Sequence, residues 1–176
     1  MAHIKFGIVG AIASLLVMSA TVVTYGDEEK HEYDHSIAAQ DFVHGQPSKP
    51  SDAWMQAAGG RIYDNWWDAL DREEPKTTNP AYPVAVNKKI TGADTWRCKE
   101  CHAWDYQGKD GIYSKGGHFT GISGIRGAEG KPEEDLLKVF RDKNHPYTKE
   151  MINDDELKRL AAFVSRGQVD MRKFLN

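Results

Sequence analysis

The chain of 176 residues contains two cysteines, Cys98 and Cys101, and a histidine, His102, directly follows the second in the stretch RCKECHAW (97–104). Two thiols and one imidazole that close together suit three chemistries to different degrees. Structural zinc takes four protein ligands; one Cys-x-x-Cys supplies half of them, and no second pair exists. A redox or structural disulfide uses both thiols but leaves the histidine idle, and the strand that precedes thioredoxin-like motifs is missing here. Covalent haem uses all three: on an incipient helical turn each thiol adds to one vinyl group, and the adjoining imidazole lies under the iron as an axial ligand.

The elements that must carry these residues are legible on either side. Ser51 or Asp52 caps a helix through AWMQAAGGRIYDNWWDAL, with Trp54, Ala57, Ala58, Ile62 and Tyr63 on one face. Gly59-Gly60 inside that pattern costs about 1 kcal/mol per glycine, which close packing against another element would explain. Residues 73–95, with three prolines and little periodicity, read as an extended surface loop. Residues 105–130 hold eight glycines in 26 positions and read as irregular backbone wrapped around something. Lys131-Pro132-Glu133-Glu134 opens a further helix running through Leu136, Leu137, Val139 and Phe140. Asn153 with Glu156 makes a capping-box pattern for the last helix, in which Leu157, Leu160, Ala161 and Val164 recur at helical spacing up to Gly167.

The remaining composition narrows location and partners. Phe6 to Gly26 contains no charged residue, and its 21 residues would reach roughly 30 Å as a helix, enough to span a bilayer core. Residues 1–26 therefore read as a membrane anchor, or as a cleaved signal ending near Thr24-Tyr25-Gly26. Lys5 stays cytoplasmic and the acidic 27–29 crosses. Residues 27–50 are a polar linker, whose His31 and His35 lack a third ligand, and 51–176 form a single domain. A net charge of −3 with no basic run gives no nucleic-acid surface.

Four segments together resemble the class I c-type cytochromes: GGRIY (59–63), CKECH (98–102), KGGHFTGISGIRG (115–127) and INDDELKRLAAFVSRG (152–167). The likeness covers 51–167. It implies an all-α, class I cytochrome c-like haem domain whose first and last helices cross near Gly60 and Phe163, behind an N-terminal membrane-spanning or signal helix. Residues 64–97 depart from the family pattern as an insertion, and its Asn65-Trp66-Trp67 either faces a partner or roofs the haem.

The resemblance also frames the second axial position. His102 is the proximal ligand, and His118, His145, Met151 and Met171 are the later candidates. The family's usual Met-Pro pair is replaced by His145-Pro146, which makes His145 the preferred distal ligand of the iron. Met151 is the alternative, although its place just before the closing helix suits an apolar staple. His118 resembles the loop histidine that packs below the haem edge and bonds backbone. Arg126, ahead of Arg97 and Lys99, is the candidate for a haem propionate. Trp96, Trp104, Tyr106 and Tyr113 are expected to wall the haem.

One covalently bound haem c would then serve electron transfer, with no substrate turnover, on the periplasmic side of a bacterial inner membrane. The partners would be redox proteins or a membrane respiratory complex. The alternatives are a haem subunit of a larger respiratory or oxidising complex, and a gas-binding haem protein with an open axial site.

Overall fold

The computed structural model describes residues 47–174. The N-terminal apolar segment and the polar linker with His31 and His35 lie outside them. Within 47–174 the architecture is all-α, with helices α1 (Asp52–Ala69), α2 (Cys98–His102), α3 (Glu133–Val139) and α4 (Asp154–Ala162), the last extended by a wider π turn over Phe163–Gly167. Short 3-10 turns stand at Gly92–Trp96, Arg126–Ala128 and Met171–Lys173. A single antiparallel bridge joins Gly108 and Ser123. No helix of the described residues is long and apolar enough to cross a membrane.

Both main helices start on the side chains that suit a helix N-terminus. The Ser51 hydroxyl accepts from the Trp54 amide, and Asn153 and Glu156 complete the reciprocal capping box of α4. Crossing of α1 over α4 makes the core. A Cβ on Gly59 would lie 2.0 Å from the Arg159 carbonyl oxygen, and one on Gly60 would lie 3.2 Å from the Phe163 ring. The tightest approach therefore falls at Gly59, one residue before the expected position. That shift also turns Ala57 outward, against the expected face, and brings Gly59 into the buried stripe with Ala58, Ile62 and Tyr63.

Past Tyr63 the helix bends. Asn65 leaves helical geometry at φ −154°, ψ 92°, which re-phases the chain so that both Trp66 and Trp67 are buried. Their rings meet edge to face at 5.6 Å, and Trp66 meets Tyr147 at 6.4 Å. These tryptophans build the core, so the expectation that they face a partner is corrected.

The segment 73–95 is also more than a surface loop. It buries Asn79, Tyr82, Asn87 and Thr95. The Asn79 amide donates to Thr95 Oγ1 at 2.8 Å, and Asn87 Nδ2 donates to the Gly117 carbonyl at 2.8 Å. A loop without periodic apolar residues is thus held by side chains that satisfy its backbone.

Because the Arg159 backbone cannot retreat, Gly59→Ala should cost more than about 2 kcal/mol. Gly60→Ala, facing a ring that can shift, should cost clearly less. Chemical denaturation of the two variants checks the order; equal losses would overturn the close-crossing account.

Candidate functional site

Helix α2 is one short helical turn, and neighbouring elements hold it rather than its own length. Tyr63 Oη donates to the Ala103 carbonyl at 2.6 Å, which ties α2 to the helix crossing. Ala103, fully buried, takes φ 64°, ψ 158°, a region normally left to glycine. The Gly108 amide donates back to the His102 carbonyl at 2.9 Å. Gly108 and Gly124 let the two sides of the following loop touch, since a Cβ on Gly124 would lie 2.1 Å from the Tyr106 carbonyl oxygen. This close approach delivers the Ser123 carbonyl to His102 Nδ1 at 2.7 Å.

A carbonyl can only accept, so Nδ1 of His102 carries the proton and Nε2 keeps its lone pair for a ligand. Burial holds the ring's pKa below its usual value, with the Ser123 bond opposing and the nearby His145 adding to the effect. The imidazole is thereby kept neutral, the form that binds a metal.

His145 comes from the turn between α3 and α4. Asp142 Oδ1 accepts from the His145 amide at 3.0 Å and stands 3.0 Å from His145 Nδ1. Burial would raise the Asp142 carboxyl, but the Asn144 amide and His145 outweigh it and keep its pKa below the ordinary value. Charged Asp142 can only accept, so His145 Nδ1 donates a hydrogen bond to it. Arg141 fixes the same turn by donating to the carbonyls of Tyr147 and Ile152, both at 2.8 Å, and to Asp154 at 2.9 Å.

The His102 and His145 rings are stacked, with centres 6.0 Å apart and planes within 14° of parallel. That separation is of the size two metal–imidazole bonds of about 2 Å would span, and each Nε2 lone pair lies in the plane of its own ring. Among the described residues no cluster of three or more His, Cys, Asp or Glu could hold a metal ion. A metal between these rings therefore needs its other ligands from a non-protein group, as a porphyrin supplies them. Residues and group fit.

The thiols are free and sit beside this pair. Burial pushes Cys98 up to about 11 and Cys101 up to about 12, the latter also through Cys98 and Glu100. An activated redox dithiol is shifted the opposite way. Cys98 Sγ lies 3.8 Å from Tyr147 Oη, whose hydroxyl donates to the Trp96 carbonyl at 2.8 Å. Thr120 Oγ1 donates to the Cys101 carbonyl.

The other candidates fall elsewhere. Met151 packs against the apolar core and its carbonyl accepts from Arg72. His118 meets the Glu100 carboxylate at 3.0 Å and stacks on Tyr113 at 4.8 Å, where a backbone partner was expected. Arg126 pairs with Glu129 at 3.3 Å, and its Nη1 is buried without a partner. Trp96 and Tyr113 are buried and Tyr106 packs on Tyr63 and Phe163, but Trp104 is exposed. Trp104 lines a groove of about 570 Å³ along α1, with Arg61, Asp64 and Lys99, that includes neither His102 nor His145.

Sequence reasoning missed Asp142, Ser123 and Tyr147. Asp142 at i−3 from a histidine is an available signal; a carbonyl donated by a distant loop leaves none. Searches of protein-family models, curated proteins and solved structures find no match to this chain.

Substitutions at two positions test the supports of the site. At the strained position, Ala103→Gly should leave the melting temperature unchanged or raise it, and Ala103→Val should cost more than about 3 kcal/mol; a harmless Val would remove the strain claim. Arg141→Ala loses three hydrogen bonds and should destabilise by about 2 kcal/mol, with faster amide exchange concentrated in 142–152.

Proposed function

We propose that this protein is a mono-haem c-type electron carrier, exported and tethered to the periplasmic face of a bacterial inner membrane by residues 6–26. The observation that carries this reading is the neighbouring pair His102 and His145, ring centres 6.0 Å apart beside Cys98 and Cys101, each with its Nδ1 on a fixed acceptor. When bound, the haem supplies a one-electron couple at its iron.

What the chain supplies is attachment, orientation and exclusion. Cys98 and Cys101 provide the two thioether sulfurs. His102, oriented by the Ser123 carbonyl, and His145, oriented by Asp142, would hold the iron through their Nε2 atoms. With both imidazoles engaged, the haem would favour electron transfer over gas binding. Trp96, Tyr147 and Trp66 make an apolar wall on the Cys98 side, with Trp96 and Tyr147 rings 5.9 Å apart. Arg126 offers a buried, uncommitted donor suited to a carboxylate such as a propionate.

Purified full-length protein should keep one haem mass after denaturation. In urea with reductant it should take up no iodoacetamide, whereas Cys98→Ser/Cys101→Ser should lose the covalent haem. Two alkylated cysteines in the wild type would sink the proposal. Histidine donates to ferric iron more strongly than thioether sulfur does, so His145→Met should raise the reduction potential by on the order of 100 mV. The same variant should gain a sulfur-to-iron charge-transfer band that the wild type lacks. Met151→Leu should leave potential and spectrum unchanged; if it instead frees the reduced protein to bind carbon monoxide, Met151 is the distal ligand.

A further inference from the structure

Two loops from distant parts of the chain make one exposed surface. The segment 79–89 is joined to 113–119 by the bond from Asn87 Nδ2 to the Gly117 carbonyl, and Lys89 lies along Gly117. The centre of that surface is apolar: Val84 and Val86 are 52% and 54% exposed, and Phe119 is 36% exposed. Lys88, Lys89 and Lys115 stand around it, all exposed. No ion pair among the described residues engages any of the three lysines. Residues 78–93 and 111–125 contain those lysines and no Asp or Glu, in a chain whose net charge is −3. Two acids pack beneath these segments and both are buried: Glu100 with its carboxylate on His118, and Asp105 accepting from the Ile112 amide.

This positive face is also fastened to the thiol motif. His118 holds Glu100 and Thr120 holds the Cys101 carbonyl. Tyr82, from the same loop as the valines, is buried near Cys101 and Glu100.

We infer that the 79–89 loop and the 113–119 loop form a docking face for a protein partner with an acidic surface, brought to the Cys101 side of the haem motif. Unpaired lysines around a small apolar centre suit a transient complex: charge steers the encounter and the valines exclude water once contact is made. The inference rests on the electron-carrier reading for its purpose, and on surface charge and exposure for its location. An anionic lipid surface would also attract lysines, but covering this face with a bilayer would close the side nearest Cys101 to any redox partner.

The probe is a gold surface bearing mixed carboxylate- and methyl-terminated thiols, a stand-in for an acidic patch with apolar ground. Full-length haem-loaded protein in detergent is adsorbed at low salt, and bound mass and voltammetric current are read on the same film. K88E/K89E/K115E should lower adsorption about tenfold, and 0.5 M salt should abolish the difference. K49E/K131E/K173E, the same charge change at other exposed lysines, should lower it less than about twofold. V84S/V86S should weaken adsorption on the mixed film and leave it unchanged on a purely carboxylate film. Equal losses for the two triple variants would overturn the inference. Adsorption that follows the charge pattern with no redox wave would leave the docking face standing and defeat the electron-carrier reading; a wave indifferent to the charge reversals would do the opposite. Amide protection of 79–89 in protein reconstituted into phosphatidylglycerol vesicles would assign the face to lipid and overturn the protein partner.

Discussion

The contact on which the rest of the molecule depends is the close crossing of α1 and α4 at Gly59. No side chain fits between that glycine and the Arg159 carbonyl, so the distance between the two helices is fixed by backbone and not by side chains that could repack. One turn further along α1, Tyr63 packs on Phe163 at 5.3 Å. Its hydroxyl then reaches the Ala103 carbonyl, which places the residue after His102. The position of the His102 imidazole is thus set by a glycine more than forty residues earlier. A five-residue helix bearing three chemical groups could not fix their geometry alone.

The opposite wall of the site is held by charge. Glu156 is buried at the start of α4, where its side chain accepts from the Asn153 amide and receives Arg72 on both oxygens, at 2.7 and 2.8 Å. Arg72 also donates to the Met151 carbonyl. A carboxylate at that depth would cost several kcal/mol if unpaired, and removing one partner of such a pair is more damaging than the pair is stabilising. The arrangement ties the end of α1 to the loop before α4. Arg141 repeats the device on the α3 side of that loop. Between the two arginines, residues 142–152 have little freedom, which is what a loop must have if a histidine on it is to meet a partner on another element.

The parts of this plan that sequence made legible are the parts governed by local rules. Ser51 and the Asn153–Glu156 box mark helix starts because capping needs side chains within three residues. The glycine pair marked the crossing, off by one position, because its cost inside a helix calls for a compensating contact. His145 is singled out by the resemblance, and Asp142 at i−3 is the local feature that separates it from His118. What stayed hidden is non-local. Asn79, Asn87 and Thr95 are polar residues in a proline-rich run, a pattern that reads as solvated loop, yet their side chains satisfy backbone groups brought together only by folding. The kink at Asn65, which buries two adjacent tryptophans, has no periodic signature because it breaks the period.

The two imidazoles are alike in orientation and unlike in support, and that difference bears on what the site is built to do. Ser123 offers His102 a neutral carbonyl, whereas Asp142 offers His145 a charged carboxylate. A carboxylate behind an imidazole raises its basicity and its donation to a metal more than a carbonyl does. When the proposed haem is bound, a ferric ion would gain more from that donation than a ferrous one, so the charge of Asp142 would pull the couple toward the oxidised state. Ser123 sits in a loop closed by glycine contacts that leave no room for adjustment. Asp142 sits in an exposed turn where Glu or Asn could be accommodated. The geometry of the pair is therefore vested in the proximal side and its electronic tuning in the distal turn, a division that lets the strength of ligation change without disturbing the helix crossing that positions everything else.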